Sequence, residues 1–367
     1  MTGTPPVGPP VDAPRDAPVD VVCLGESMVT FLPYRPGRLA DVPAFTRTIG
    51  GAESNVACAL AAAGHRTTWV SRVGADGFGD HLVEAIAGYG VDTSAVQRDP
   101  LRPTGVYFRT ATDRAADAHE VVYYRAGSAA SAMSPRTVGY GDVDAGRVLH
   151  LSGVTAALSE DCLALMRALT APRAGRPLVS FDVNFRPGLW RDGTAGAVLL
   201  ELARGADLVF VGEDEAREAW GLAGPEAVRA ALPEPAVLVV KRGAAGAAVF
   251  ERRPAAEPGV ESAARSRPAG EAVTFVPAPR VDVVAPVGAG DAFAAGFLSA
   301  TLRGLDVKNR IRHGHLMAAA ALTVPGDLGV PAGRARADRL AGLDDAAWET
   351  LHLGPGWTGE DQEVRTP

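Results

Sequence analysis

The segment VDVVAPVGAGDAFAAGF, residues 281–297, carries the strongest local signal in the chain. An apolar run enters a turn with glycines at 288 and 290, and small residues continue from about Asp291. This is the pattern of a buried strand, a tight turn and a helix. The glycines let consecutive backbone N–H groups converge on one point, and the helix start behind them adds partial positive charge. A turn of this kind suits an anion, phosphate above all. Asp291 has two readings here. It is either the helix N-cap, or a carboxylate beside a bound phosphate that takes a proton from an attacking hydroxyl.

Outward from this turn, strand-like and helix-like segments alternate. VVCLGE at 21–26 reads as a buried strand, NVACALAAAG at 55–64 as a helix closed by glycine, 67–73 as a strand and 79–88 as a helix. Further strands are predicted at 148–151, 178–182, 208–211 and 237–241. Such alternation predicts a mostly parallel sheet flanked by helices, with right-handed crossovers. GVYFRTAT at 105–112 and HEVVYYRAG at 119–127 break the rhythm. They read as an antiparallel hairpin, suited to form a small β lid with strands from 28–48. The expected organisation is a proline-rich leader over 1–19, one α/β domain over 20–353 and a loose tail over 354–367. Within the domain, 252–270 reads as a flexible insertion.

Composition narrows the partners. The chain has 367 residues and a net charge of −7, which argues against a broad nucleic-acid surface. Three scattered cysteines, Cys23, Cys58 and Cys162, read as reduced thiols of a cytoplasmic protein. His313 and His315, two apart, would lie on different faces of a helix and read as structural. No apolar run is long enough to span a bilayer, and the N-terminal segment has no signal-peptide pattern. The first strand ends in LGESMV without GxGxxG, so a nicotinamide-dependent oxidoreductase is set aside.

A second motif is GGAESN at 50–55, directly before the alanine-rich helix. Paired glycines permit close backbone approach, and Asn55 offers both a donor and an acceptor to hydroxyls. Between this motif and GAGD at 288–291 lie VGADGFGD at 73–80, EDEA at 213–216 and KRGAAGA at 241–247. In this order, over roughly 20–331, the five segments resemble the ribokinase-like (PfkB) carbohydrate kinases. YYRAGSAAS at 123–131, FDVNFRPGLW at 181–190 and TVPGDLG at 323–329, together with GGAESN, are most similar to the ketodeoxygluconate kinase branch of that family.

The resemblance implies a ribokinase-like fold and phosphorylation of a sugar acid, 2-keto-3-deoxygluconate, by ATP with Mg²⁺. It implies that Asp291 is the base and that Gly288, Ala289 and Gly290 form the anion turn. Gly51, Asn55, Tyr107, Tyr123, Arg125, Arg186 and Asp327 become sugar contacts. Asn184, Arg186, Lys241, Gly243, Gly246, Gly288 and Gly290 fall on the nucleotide side, and Glu215 helps order the magnesium. Arginine forks suit a carboxylate, and tyrosine adds an apolar plate with a hydroxyl. By composition alone, Arg125 and the tyrosines are equally ordinary strand residues. Two positions depart from the pattern: Gly212 stands where the family has Asn, and Ala285 stands where an acid precedes the turn. A fructokinase-like ketose kinase and a non-catalytic sugar-acid or nucleotide sensor are the alternatives. An exposed lid is also a surface through which copies of the chain can pair.

Overall fold

A computed structural model describes residues 18–35, 37–110, 120–190, 193–253 and 270–359. Its centre is an eight-stranded sheet. From one edge the strands run Gly270–Val276, Ala247–Arg253, Val237–Lys241, Leu208–Gly212, Leu178–Asp182, Gly146–Ser152, Val19–Leu24 and Thr67–Val70. The last six are mutually parallel, and the first two join the edge antiparallel. The apolar runs read from the sequence are continuous because both faces of the sheet are covered. In Val19–Leu24, Val21 and Cys23 enter one core while Val22 and Leu24 enter the other. Helices Ala52–Ala62, Ala289–Leu302 and Val307–Leu322 cover the first face; Glu160–Thr170 and Ala195–Arg204 cover the second.

The predicted hairpin lies in a separate four-stranded sheet, ordered Phe45–Gly50, Met28–Pro33, Val106–Arg109 and Val121–Tyr124. Aromatic contacts knit it together: Phe31 stacks on Phe108 at 4.8 Å between ring centres, and Tyr107 meets Tyr123 at 5.3 Å. The turn of this hairpin, 111–119, lies outside the described residues.

Several boundaries differ from the sequence reading. The alanine-rich helix starts at Ala52, three residues early, because Gly51 in extended backbone already serves as its N-cap. The segment 67–73 is two strands, Thr67–Val70 and Arg72–Gly74, and the second pairs with Gln97–Asp99. The following helix is Gly77–Ala87, begun by Asp76, whose carboxylate accepts from the N–H groups of Phe78 and Gly79. His313 and His315 are both buried in one helix, as structural groups. Cys23, Cys58 and Cys162 are buried free thiols. Among the described residues no helix is long and apolar enough to cross a membrane.

The expected leader, insertion and tail fall largely outside the described residues, which omit 1–17, 254–269 and 360–367. The chain past 353 is partly packed, however. His352–Leu353 pairs with Arg280–Val281, and Trp357 joins the first core at 3% exposure.

Candidate active site

The glycine turn lies at the start of the helix Ala289–Leu302. Gly288 is its N-cap, in left-handed backbone with φ 75°. A Cβ there would lie 2.1 Å from the Asp327 carbonyl oxygen, so both the backbone and the space require glycine. The first intrahelical bond runs from the Ala292 N–H to the Gly288 carbonyl. The N–H groups of Ala289, Gly290 and Asp291 precede it and have no intrahelical acceptor.

This start overturns the N-cap reading of Asp291. The helix begins two residues before it, so Asp291 stands in the first turn, and its side chain turns to other partners. The Asn55 amide donates to Oδ2 at 2.9 Å, and the Asn184 amide approaches Oδ1 at 3.5 Å. Asn184 holds φ 41°, the only positive φ outside glycine among the described residues. Burial pushes the Asp291 carboxyl up to about 7; the Asn55 hydrogen bond, Arg186 and Lys241 oppose that rise, and the Asp182 charge adds to it. A carboxylate poised near neutrality beside an anion turn suits proton transfer.

The far side of the turn is formed by strand ends. The Lys241 ammonium bridges both Asp182 oxygens, at 2.8 and 3.1 Å, and lies 3.5 Å from where a Gly290 Cβ would be. Burial disfavours its charge, but Asp182 and Glu215 outweigh this and hold its proton more tightly than usual. Glu215 is not the exposed helix acid that composition alone allows. It accepts the Gly212 N–H at 2.7 Å and faces the Arg186 guanidinium at 3.3 Å, and burial raises its carboxyl. Gly212 has ordinary extended backbone, with φ −76°, so nothing in the main chain requires glycine in place of the family's asparagine. Ala285 is buried, its N–H directed at the Leu322 carbonyl. Gly243 and Gly246 hold φ 55° and 126° in the loop between two antiparallel strands.

Between the sheet end and the lid lies a cleft of about 340 Å³. Gly51, Asn55, Tyr107, Tyr123, Arg125, Asn184, Arg186, Gly288, Asp291 and Asp327 all line it. These residues are spread from Gly51 to Asp327 along the chain, and the fold brings them together. Lys241, Gly243, Gly246 and Glu215 do not line it. Two uncharged acceptors at the cleft are unmet: the side-chain oxygens of Asn55 and Asn184 are buried without a hydrogen-bond partner. Orphaned acceptors of this kind suit hydroxyl donors.

The charges are arranged otherwise than the sequence suggests. The arginines do not stand open for a carboxylate, because each already has one. Arg125 pairs with Glu26, Arg109 with Asp327 at 2.7 Å, and Arg186 with Glu215. Asp327 also accepts the Tyr107 hydroxyl at 3.2 Å, and burial raises its carboxyl against the pull of Arg109. The sequence reading does not pick out Glu26, which lines the cleft, nor Arg109 and Asp182, which pair with Asp327 and Lys241 beside it. A charged residue at the end of a buried apolar run, as in VVCLGE and LVSFD, was the available signal. Glu53 of the GGAESN motif is fully buried, accepts the Ser152 and Thr155 hydroxyls, and fills the space left by Gly25.

The pattern of the pfkB carbohydrate kinases matches residues 19–331. The chain belongs to that family. It is 33% identical over 313 residues to a 2-dehydro-3-deoxygluconokinase of Thermoproteus tenax, covering 84% of this chain and 90% of that one. A 2-dehydro-3-deoxygluconokinase of Bacillus subtilis is 33% identical over 343 residues, covering 92% and 99%. A sugar kinase of Pyrococcus horikoshii, solved in complex with ATP, superposes with a TM-score of 0.71 at 25% identity, over 89% of this chain and 98% of that one. The chain is therefore an ATP-dependent sugar kinase with a ribokinase-like fold.

Proposed function

We propose that this kinase transfers the γ-phosphoryl group of ATP to the primary hydroxyl of 2-keto-3-deoxygluconate, giving the 6-phosphate. The observation that carries the chemistry is Asp291: buried, held by Asn55, beside the anion turn, with its carboxyl near 7. In this reading the sugar lies in the cleft with its hydroxyl at Asp291. The carboxylate takes the hydroxyl proton as the alcohol oxygen bonds to phosphorus, and the bond to the leaving ADP oxygen breaks. The N–H groups of residues 289–291 and the Lys241 ammonium face the charge on the transferred group.

ATP fits the far side of the turn, where Gly290 leaves the helix start open and Gly243 and Gly246 allow close backbone approach. Among the described residues no cluster of three metal-binding side chains forms. Magnesium arriving with the nucleotide takes one or two carboxylates at most, and Glu215 would help to order it. When bound, such an ion would supply neutralisation of phosphate charge.

The sugar-acid assignment rests on the named relatives and on Arg125, Arg186 and the tyrosines at the cleft. The test is ADP release across a panel of sugar acids and ketoses. Ketodeoxygluconate should give the highest kcat/KM. Preference for fructose would overturn the substrate, and binding without turnover on any sugar would overturn catalysis.

A further inference from the structure

Arg125 is the arginine nearest to full burial among those that line the cleft. Its side chain is 11% exposed, yet its charge already meets Glu26, which is 1% exposed. The pair is built in. The Ser128 hydroxyl donates to Glu26 Oε1 at 2.6 Å, leaving Oε2 for Arg125. Gly105 packs against the same group, since a Cβ there would lie 3.0 Å from Oε1. Arg125 Nε is buried without a hydrogen-bond partner, and its guanidinium lies 5.7 Å from the centre of the Tyr123 ring. Both Glu26 and Arg125 line the cleft. An arriving carboxylate therefore meets an arginine whose charge is already balanced.

We infer that Glu26 is a specificity-determining residue, which sets how strongly this cleft prefers an acidic sugar to a neutral one by competing for Arg125. The inference rests on the proposed sugar-acid substrate, with Arg125 taken as the group that meets its carboxylate. Buried, the Glu26 carboxylate repels a second carboxylate and attracts the same guanidinium. Its presence reduces the gain an acid draws from Arg125, and a neutral ketose loses nothing by it. Glu26 also keeps the arginine from standing as an uncompensated buried charge in the empty enzyme, so selectivity is given up for stability.

The experiment uses Glu26→Gln, which keeps the shape and removes the charge. Binding of ketodeoxygluconate and of fructose is measured by calorimetry for both proteins, alongside turnover. The ratio of acid affinity to ketose affinity should rise about tenfold in the variant. Its melting temperature should be lower than wild type without ligand and should rise more steeply with added acid. Glu26→Gln/Arg125→Gln should lose the gain, since the effect runs through the guanidinium. If acid and ketose affinities fall together, Glu26 is instead a hydroxyl acceptor for any sugar, and the inference is overturned. It is equally overturned if neither affinity moves. Should Glu26→Gln not fold, Ser128→Ala serves: it frees Oε1 to close on Arg125 and should lower the same ratio, an unchanged ratio counting against the inference. A wild-type enzyme that turns over fructose better than the acid overturns the substrate assignment and leaves the binding ratio readable.

Discussion

At the scale of the residue, Asp291 has two linked consequences. Its carboxyl is near 7 in the fold, against an ordinary value near 3.8, with burial the leading cause. As the proposed base, Asp291 would work only when ionised, so kcat/KM should fall below about pH 7 with unit slope. Asn55 opposes the rise by bonding the carboxylate, so Asn55→Ala should move that limb to higher pH; a limb that stays put would detach Asn55 from the base. Asp291→Asn should lose at least a thousandfold in kcat yet still bind sugar in calorimetry. The same variant should be more stable than wild type at high pH. A raised acid binds its proton more tightly folded than unfolded, so its cost is absent below pH 4, grows as pH rises, and is complete above pH 7. Relief in Asp291→Asn should therefore be about 4 kcal/mol at pH 8 and vanish near pH 4, as read by melting curves. The turn and helix around Asp291 were legible because its neighbours spell them. Its place in that helix was not, because the start depends on Gly288 lying against the Asp327 carbonyl, a contact 39 residues away in sequence.

At the scale of the element, a buried pair ties the lid to the loop that carries Asp327. Arg109, on a lid strand, donates to Asp327 in the loop after the helix Val307–Leu322, and Tyr107 donates to the same carboxylate. Removing one partner of such a pair leaves the other charge buried and unpaired. Arg109→Met should destabilise the protein by about 3 kcal/mol and raise the sugar KM at least tenfold, with a smaller effect on kcat. Adding Asp327→Leu should recover most of the melting temperature and none of the KM, separating fold from site. Strands were the easiest elements to read: 178–182 and 237–241 were placed to the residue, because burial on both faces leaves unbroken apolar runs. Pairings such as Arg109 with Asp327 were not legible. Charged residues hundreds of positions apart carry no local mark of which meets which, so Arg125 and Arg186 read as open when each was already matched.

At the scale of the whole molecule, the C-terminal segment sets where the domain ends. Composition from Gly354 reads as loose, since glycine, proline and charge dominate, and one tryptophan in such a stretch is easily discounted. Trp357 nonetheless packs in the core beneath the helices Ala289–Leu302 and Val307–Leu322, the first of which carries the anion turn. Burying a tryptophan removes a large apolar area from water, worth about 3 kcal/mol or more when truncated to alanine. Two shortened chains separate the contributions. Ending at Gly359 keeps Trp357 and should leave melting temperature and ADP release unchanged. Ending at Leu353 removes it and should lower the melting temperature by several degrees, with activity at low temperature largely kept because no cleft residue is lost. Trp357→Ala in the full chain should reproduce most of that loss. Equal melting temperatures for the two shortened chains would return residues 354–359 to the tail and place the end of the domain at Leu353.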